Sequence, residues 1–265
     1  KRNMETYYLV ILGIIQGVAE WLPISSQAQT MFFMMDIMKV PFQTALTYAI
    51  FLHAGTLLAV VVRYWNQFLD ILKKFDFEDK LTRTIVFATI ATAITAVPLF
   101  LILKYYILEL PALFVNAIIG VLLIVTGVLL KIIKPKGAKG LENLEDTDSI
   151  VVGLAQGFSI LPGISRSGVT LVTLIARNIG PELALTLSFM LSAPAVLGAI
   201  LIDFDDISKI PVFNAVVLTA SAFVVGYFTM NILLKYAQMV KLWVFAIVLG
   251  VLVLSVAIIL MVIMV

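Results

Sequence analysis

The sequence predicts an all-α integral membrane protein with six transmembrane helices plus two re-entrant helix pairs, arranged as inverted-topology repeats. Three observations carry this. Of the 265 residues, 62% are hydrophobic and 13% charged, against roughly 45–50% and about 25% in a globular domain. Six stretches are long and apolar enough for a hydrocarbon core, which takes about 20 helical residues. Two shorter apolar stretches break early and resemble each other across half the chain.

The six predicted spans are residues 44–62, 85–103, 113–133, 183–202, 212–234 and 242–265. The two short stretches are residues 7–22, which meets Pro23, and 150–161, which meets Pro162 and Gly163. Proline ends a helix, and in a bilayer irregular backbone survives only inside protein or beside a water-filled cavity. Each short stretch is therefore read as half of a re-entrant pair, with residues 29–38 and 169–178 as the returning halves. The first stretch runs into polar residues instead of a small-residue cleavage site, so no cleavable signal peptide is expected.

Loop charge gives the orientation. The connection 63–83 carries Arg63, Lys73, Lys74, Lys80 and Arg83, and the one after the third span carries Lys131, Lys134, Lys136 and Lys139. The intervening connections hold only Lys104, and Lys209 beside Asp203, Asp205 and Asp206. The positive-inside rule puts the rich loops in the cytoplasm of a plasma-membrane protein and both termini outside.

The two broken segments read GIIQGVAEWLPISSQAQT from Gly13 and GLAQGFSILPGISRSGVT from Gly153, 140 residues apart. Both contain Gly-x-x-Gln-Gly, then Leu-Pro, then a serine cluster and a threonine. Each precedes three spans, an odd number, so the second copy enters from the opposite face. This divides one integral domain into repeats 1–149 and 150–265, whose broken helices meet near the midplane.

The chemistry is expected there. Within Leu161–Thr170, glycines let backbone N–H groups converge on an anion, and Arg166 supplies a planar fork of donors suited to phosphate. Ser165, Ser167 and Thr170 add hydroxyls, the last two on the first turn of a helix whose N-terminus favours anions. Gln16 and Glu20, four apart, share a helical face. A lone carboxylate at membrane depth needs a partner or a task. Glu20 is thus an ion-pair partner of Arg166, or a general base or metal ligand beside a hydroxyl. Ser25 and Ser26 follow, with Gln27 and Gln29. Capping would explain one of the serines, and a hydroxyl near Glu20 would be a nucleophile activated by that base.

Other residues read more plainly. His53, mid-span in FLHAGTLLAVV, is first a hydrogen-bonded packing residue. Asp203, Asp205 and Asp206 form a solvated face, and Arg177 and Glu182 anchor helix ends. With no cysteine, disulfides, thiolate metal sites and thiol nucleophiles are excluded. With one histidine, any mechanism that needs two is excluded too.

With these motifs the chain resembles the BacA-type undecaprenyl-pyrophosphate phosphatase family, linked to bacitracin resistance. The family's Pro-Gly-x-Ser-Arg-Ser-x-x-Thr is matched by Pro162, Gly163, Ser165, Arg166, Ser167 and Thr170. Its Glu-or-Gln followed four residues later by Glu is matched by Gln16 and Glu20, and LPISS and SFMLSAPAVLGA also look like the family's. The resemblance runs essentially end to end. It implies removal of the terminal phosphate from a polyprenyl diphosphate at a pocket open to the outer face, yielding the monophosphate carrier lipid. By position it implies Glu20 as catalytic carboxylate, Ser26 as nucleophile and Arg166 as the grip on the diphosphate. Ser165 and Thr170 assist, and Gln16 is a supporting polar group or metal contact. Ser25, Gln29 and Ser167 complete the substrate-binding set. A divalent cation, Mg or Ca, at Glu20 is implied by the resemblance, and a homodimer is the expected assembly. Bacterial members usually carry histidine where this chain has Gln29, which hydrogen-bonds but cannot shuttle a proton. His53 substitutes only if its span faces the pocket.

The leading reading is therefore an integral-membrane phosphatase acting on an isoprenoid diphosphate. The competing reading is a transporter or flippase for a lipid phosphate, since inverted repeats with broken helices also build carriers, and fold alone does not choose.

Overall fold

The computed structural model of the chain describes residues 5–106, 112–133, 139–161, 163–236 and 241–263. They are helical, with no strand among the described residues beyond an isolated backbone pairing of Lys139 with Ile179. In chain order the helices are α1 (Thr6–Ala19), α2 (Ser26–Phe32, continued by a π turn over Phe33–Ile37), α3 (Phe42–Arg63) and α4 (Trp65–Lys74). Next come α5 (Lys80–Tyr106), α6 (Ala112–Ile132), α7 (Asp146–Gly157) and α8 (Arg166–Ala176). The chain ends with α9 (Pro181–Ile202), α10 (Phe204–Ile207), α11 (Val212–Tyr236) and α12 (Leu242–Ile263). Pro162, Lys134 and Lys136 lie outside the described residues.

Four helices are long and apolar enough to cross a bilayer: Phe42–Arg63, Lys80–Leu103, Pro181–Ile202 and Val212–Lys235. Their outward faces carry large apolar side chains, such as Ile94 on α5 (63% exposed) and Phe228 on α11 (64%). Water does not tolerate contiguous apolar faces of that extent on a monomer, and lipid does. α6 and α12 pack on each other through Gly120 and Gly250, where a Cβ on Gly120 would come within 2.9 Å of the Gly250 carbonyl oxygen. α4 and α10, short helices at span ends, are absent from the sequence reading.

The two short segments form hairpins, α1–α2 and α7–α8. Neither α1 nor α7 runs to its proline. α1 stops at Ala19 and α7 at Gly157, so the breaks come earlier than the sequence suggests. Small residues let each first arm lie close to a long helix. A Cβ on Gly17 of α1 would sit 2.6 Å from the backbone nitrogen of Gly226 in α11, and one on Gly157 of α7 would sit 2.8 Å from that of Ala96 in α5. Gly17 and Gly157 correspond under the 140-residue offset, and their partners, Ala96 and Gly226, are 130 residues apart.

Two apolar clusters mark opposite ends of the molecule. One gathers Tyr64 of α3, Ile85 of α5, Val152 of α7, Leu174 of α8, Leu185 of α9 and Leu233 of α11. The other gathers Leu9 of α1, Leu46 of α3, Phe100 of α5 and Leu218 of α11. Each hairpin starts at one end and points its tip at the other. Trp21, at the first tip, is buried in the cluster that holds the base of the second hairpin. Ile160 and Leu161, at the second tip, pack against the cluster that holds the base of the first.

The hairpin bases are held differently. Tyr8 of α1 meets Phe33 after α2 with ring centroids 6.1 Å apart. In the second hairpin, Asp148 of α7 accepts from Arg177, just after α8, at 2.6 Å and from Lys139 at 3.1 Å. Arg177 thus anchors a helix end, as expected. Asp205 and Asp206 fit a solvated face, but Asp203, read with them, is buried at 2% exposure. Asp203 is the residue immediately before α10.

Candidate active site

The first tip is built by a tight turn. After Ala19 the chain bends through Glu20–Ile24, and Ser25 takes up a left-handed backbone with φ 54°. Such a conformation is uncommon for a residue with a Cβ and persists only where the surroundings fix it. Here Ser25 Oγ accepts from the backbone N–H of Ala28, capping α2, and from that of Gly163 in the other hairpin at 3.3 Å. So Ser25 is the cap, and Ser26 is left free to turn its hydroxyl inward.

The second tip follows the same logic. α7 tightens into a 3₁₀ turn over Phe158–Ile160. Gly163 then has φ 101°, a backbone region that residues with a Cβ avoid. Ser165 Oγ caps α8 by accepting from Gly168 N–H at 3.2 Å. Ser165 and Ser167 both donate to the carbonyl of Leu22, at 3.3 and 2.8 Å, tying the second tip onto the first.

Where the tips touch, one carboxylate and one guanidinium meet across 146 residues of sequence. Arg166 Nη2 donates to Glu20 Oε1 at 2.5 Å, and its Nη1 donates to the Ser188 carbonyl of α9 at 3.0 Å. The guanidinium lies 6.0 Å from the Trp21 ring centroid. Glu20 Oε2 accepts from Ser26 Oγ at 2.6 Å and from Gln16 Nε2 at 2.8 Å. Glu20, Ser26 and Gln16 are all at most 6% exposed, so these bonds are made out of bulk water, where each is strong. Thr170 joins through Ser188, the two hydroxyls 2.6 Å apart, and its own hydroxyl donates to the Arg166 carbonyl.

Two expectations change. Gln29 does not reach the pocket, because its amide donates to the Ile24 carbonyl of its own turn at 3.0 Å. His53, read first as a packing residue, does. Its Nε2 lies 3.3 Å from Glu20 Oε2 and 3.4 Å from Ser26 Oγ. Its Nδ1 is 2.7 Å from the Ala49 carbonyl, which can only accept, so Nδ1 carries a hydrogen. A neutral ring therefore presents Nε2 as an acceptor, and a protonated ring presents it as a donor to Glu20.

Glu20, Ser26, His53 and Arg166 line a cavity of about 90 Å³. α2 and α3 contribute Ser26, Ile50 and His53, and α5 and α7 contribute Thr92, Ala96 and Gln156. Ile164, Ser165 and Arg166 of the second tip and Ala195, Val196 and Ala199 of α9 complete it. Sequence reasoning overlooked Thr92, Gln156 and Ser188. For Gln156 the signal was present, since it occupies the place in the second repeat that Gln16 occupies in the first.

A hard cation takes six or more oxygen ligands, largely from carboxylates, carbonyls and water. Here Glu20 is the one carboxylate, both of its oxygens are engaged, and the described residues hold no group of three His, Cys, Asp or Glu side chains near one another. These residues do not make a resident cation site of their own.

A profile of the family described as bacitracin resistance protein BacA matches residues 9–255. The undecaprenyl-diphosphatase of Methanothrix thermoacetophila is 40% identical over 254 residues, covering 95% of this chain and 97% of that protein. The undecaprenyl-diphosphatase of Methanopyrus kandleri is 38% identical, covering 89% and 90%. That of Haloarcula marismortui is 36% identical, covering 88% and 90%.

Proposed function

The chain belongs to the bacitracin resistance protein BacA family, and from that premise we propose that it is a membrane phosphatase converting undecaprenyl diphosphate, or a similar polyprenyl diphosphate, to the monophosphate and inorganic phosphate. The observation that carries this is the meeting of Arg166 and Glu20, with the Ser26 hydroxyl on the same carboxylate, inside a cavity of an otherwise apolar chain.

In the proposed reaction Ser26 Oγ attacks the terminal phosphorus. Its proton passes to Glu20 Oε2, 2.6 Å away. The anhydride P–O bond breaks and the lipid monophosphate leaves. Water then cleaves the phosphoserine and inorganic phosphate departs. Arg166 uses two of its five N–H donors on Glu20 and Ser188, and the remaining three serve the transferring phosphoryl group, whose charge they stabilise. The N-terminus of α8 adds its dipole. His53 stands within reach of both Ser26 and Glu20 as a second proton relay. Mg or Ca, if carried in with the diphosphate, would stand beside Glu20 and offset phosphate charge, and no step depends on it.

The architecture belongs to the same proposal. α3, α5, α6, α9, α11 and α12 are the six spans. The hairpins are re-entrant pairs of repeats 1–149 and 150–265, entering from opposite faces. The correspondence of α1 on α11 with α7 on α5 supports the repeat. The basic connection 63–83 faces the cytoplasm, both termini lie outside, and the cavity opens outward.

Phosphate release from a C55 diphosphate by the purified chain tests the function. Wild type should turn over, whereas Glu20→Ala and Arg166→Ala should each lose roughly 10²–10³-fold, as expected when a phosphoryl-stabilising or proton-accepting group is removed. Equal release by all three proteins would falsify the assignment.

A further inference from the structure

Gln156 is assigned to nothing above, yet it lines the cavity from a different part of the wall than Ser26. α5 and α7 pack on each other and build that wall, whereas Ser26 and His53 come from α2 and α3. The Gln156 side chain is 1% exposed. Its Nε2 donates to Thr92 Oγ1 at 2.9 Å and lies 3.5 Å from the Leu191 carbonyl, which can only accept, so the orientation of the amide is fixed. Oε1 is then the polar atom Gln156 has left, and it has no partner. Buried carbonyl oxygens in folded proteins are nearly always paired, so an orphan on a cavity wall marks a place for a donor. Gln16 Oε1 is also unpartnered, but Gln16 does not line the cavity.

The chemistry of this wall selects the donor. Ser159 stands beside Gln156 and commits its hydroxyl hydrogen to the Gln156 backbone carbonyl at 2.7 Å, leaving lone pairs. An ionised phosphate is acceptor-only and is repelled by such a wall. Its place is the donor-rich side at Arg166. A water molecule fits the acceptor wall, and the cavity is several times the roughly 10–15 Å³ that one water requires.

We infer that Gln156 holds the water that resolves phospho-Ser26. This rests on the phosphatase reading. The leaving lipid phosphate vacates the side of phosphorus opposite Ser26 Oγ, and in-line attack must come from that side. With one hydrogen on Gln156 Oε1, the water points a lone pair at phosphorus. Its oxygen bonds phosphorus and the P–Oγ bond breaks. The proton held by Glu20 returns to Oγ, and inorganic phosphate leaves with the water's hydrogens.

The test uses the purified full chain and C55 diphosphate labelled in its terminal phosphate. Gln156→Leu should lower kcat about tenfold or more and lower KM with it, leaving kcat/KM within about threefold, because only the step after the lipid phosphate has left is slowed. Acid quench at steady state should trap more labelled enzyme from the variant than from wild type. Gln156→Asn, which keeps an amide but withdraws it, should show the same pattern and serves if the leucine variant fails to fold. Two results overturn the inference: wild-type kcat in the folded variants, or a lower kcat without a rise in labelled enzyme. A change in KM alone overturns it too, because Gln156 would then bind lipid. A wild type that releases no phosphate defeats the phosphatase reading itself, and this inference with it.

Discussion

At the scale of single residues, the site divides labour between two adjacent serines and two candidate proton carriers. Ser25 is consumed by capping and by its bond to Gly163, whereas Ser26 faces Glu20. Ser26→Ala should therefore abolish turnover, a loss of roughly 10³-fold or more. His53→Ala should cost roughly 10²-fold, the lower range for a positioned acid or base. Gln29→Ala should leave turnover within about threefold, since it loses only a bond to its own turn. Steady-state phosphate release by the three folded variants checks this, and a Gln29 variant slower than the His53 variant would reverse the assignment of the proton carrier. Much of the site was legible from residue type alone. A carboxylate, an arginine and clustered hydroxyls in an apolar chain have no cheap place except facing one another. His53 was not legible, because one polar residue in a span gives no sign of which face it occupies when its neighbours are apolar all round.

At the scale of elements, the second hairpin depends on its base. Asp148 caps α7 and takes both Arg177 and Lys139. Burial pushes its carboxyl upward, but the Glu145 backbone N–H, Arg177 and Lys139 outweigh this and hold it below the ordinary 3.8. A depressed carboxylate stabilises the fold at pH values above its unfolded value, and that contribution is lost as pH falls through the lower folded value. Thermal unfolding should thus show wild type losing stability on the acid side of about pH 4. Asp148→Asn should be less stable by about 1–3 kcal/mol at pH 7, with a flatter acid limb. An acid limb unchanged in the variant would mean that this clamp does not hold the hairpin. The hairpins themselves could be read from the paired breaks in sequence. Their true ends, at Ala19 and Gly157, could not, because glycine packing on α11 and α5 and the site contacts set them, and those are tertiary.

At the scale of the whole molecule, a cavity lies where two oppositely directed hairpins pass each other. The chain has no cysteine, so single introduced cysteines report on topology without background. In sealed cells, cysteines at Glu5 and Asp205 should react with a membrane-impermeant maleimide. A cysteine at Asp76 should react only after permeabilisation. The opposite pattern would invert the orientation, and labelling of all three from outside would defeat the span assignment. Orientation rests on a bias of a few lysines and arginines between loops, a small signal that packing within the protein does not test.

The central claim is that Glu20 and Arg166, from different hairpins, act as one unit on one phosphate. A double-mutant cycle measures this directly. Groups that act together lose their whole effect when either is removed, whereas independent groups multiply. Phosphate release by Glu20→Ala/Arg166→Ala should fall within about threefold of the slower single variant. A double variant slower by the product of the two single losses would contradict the account.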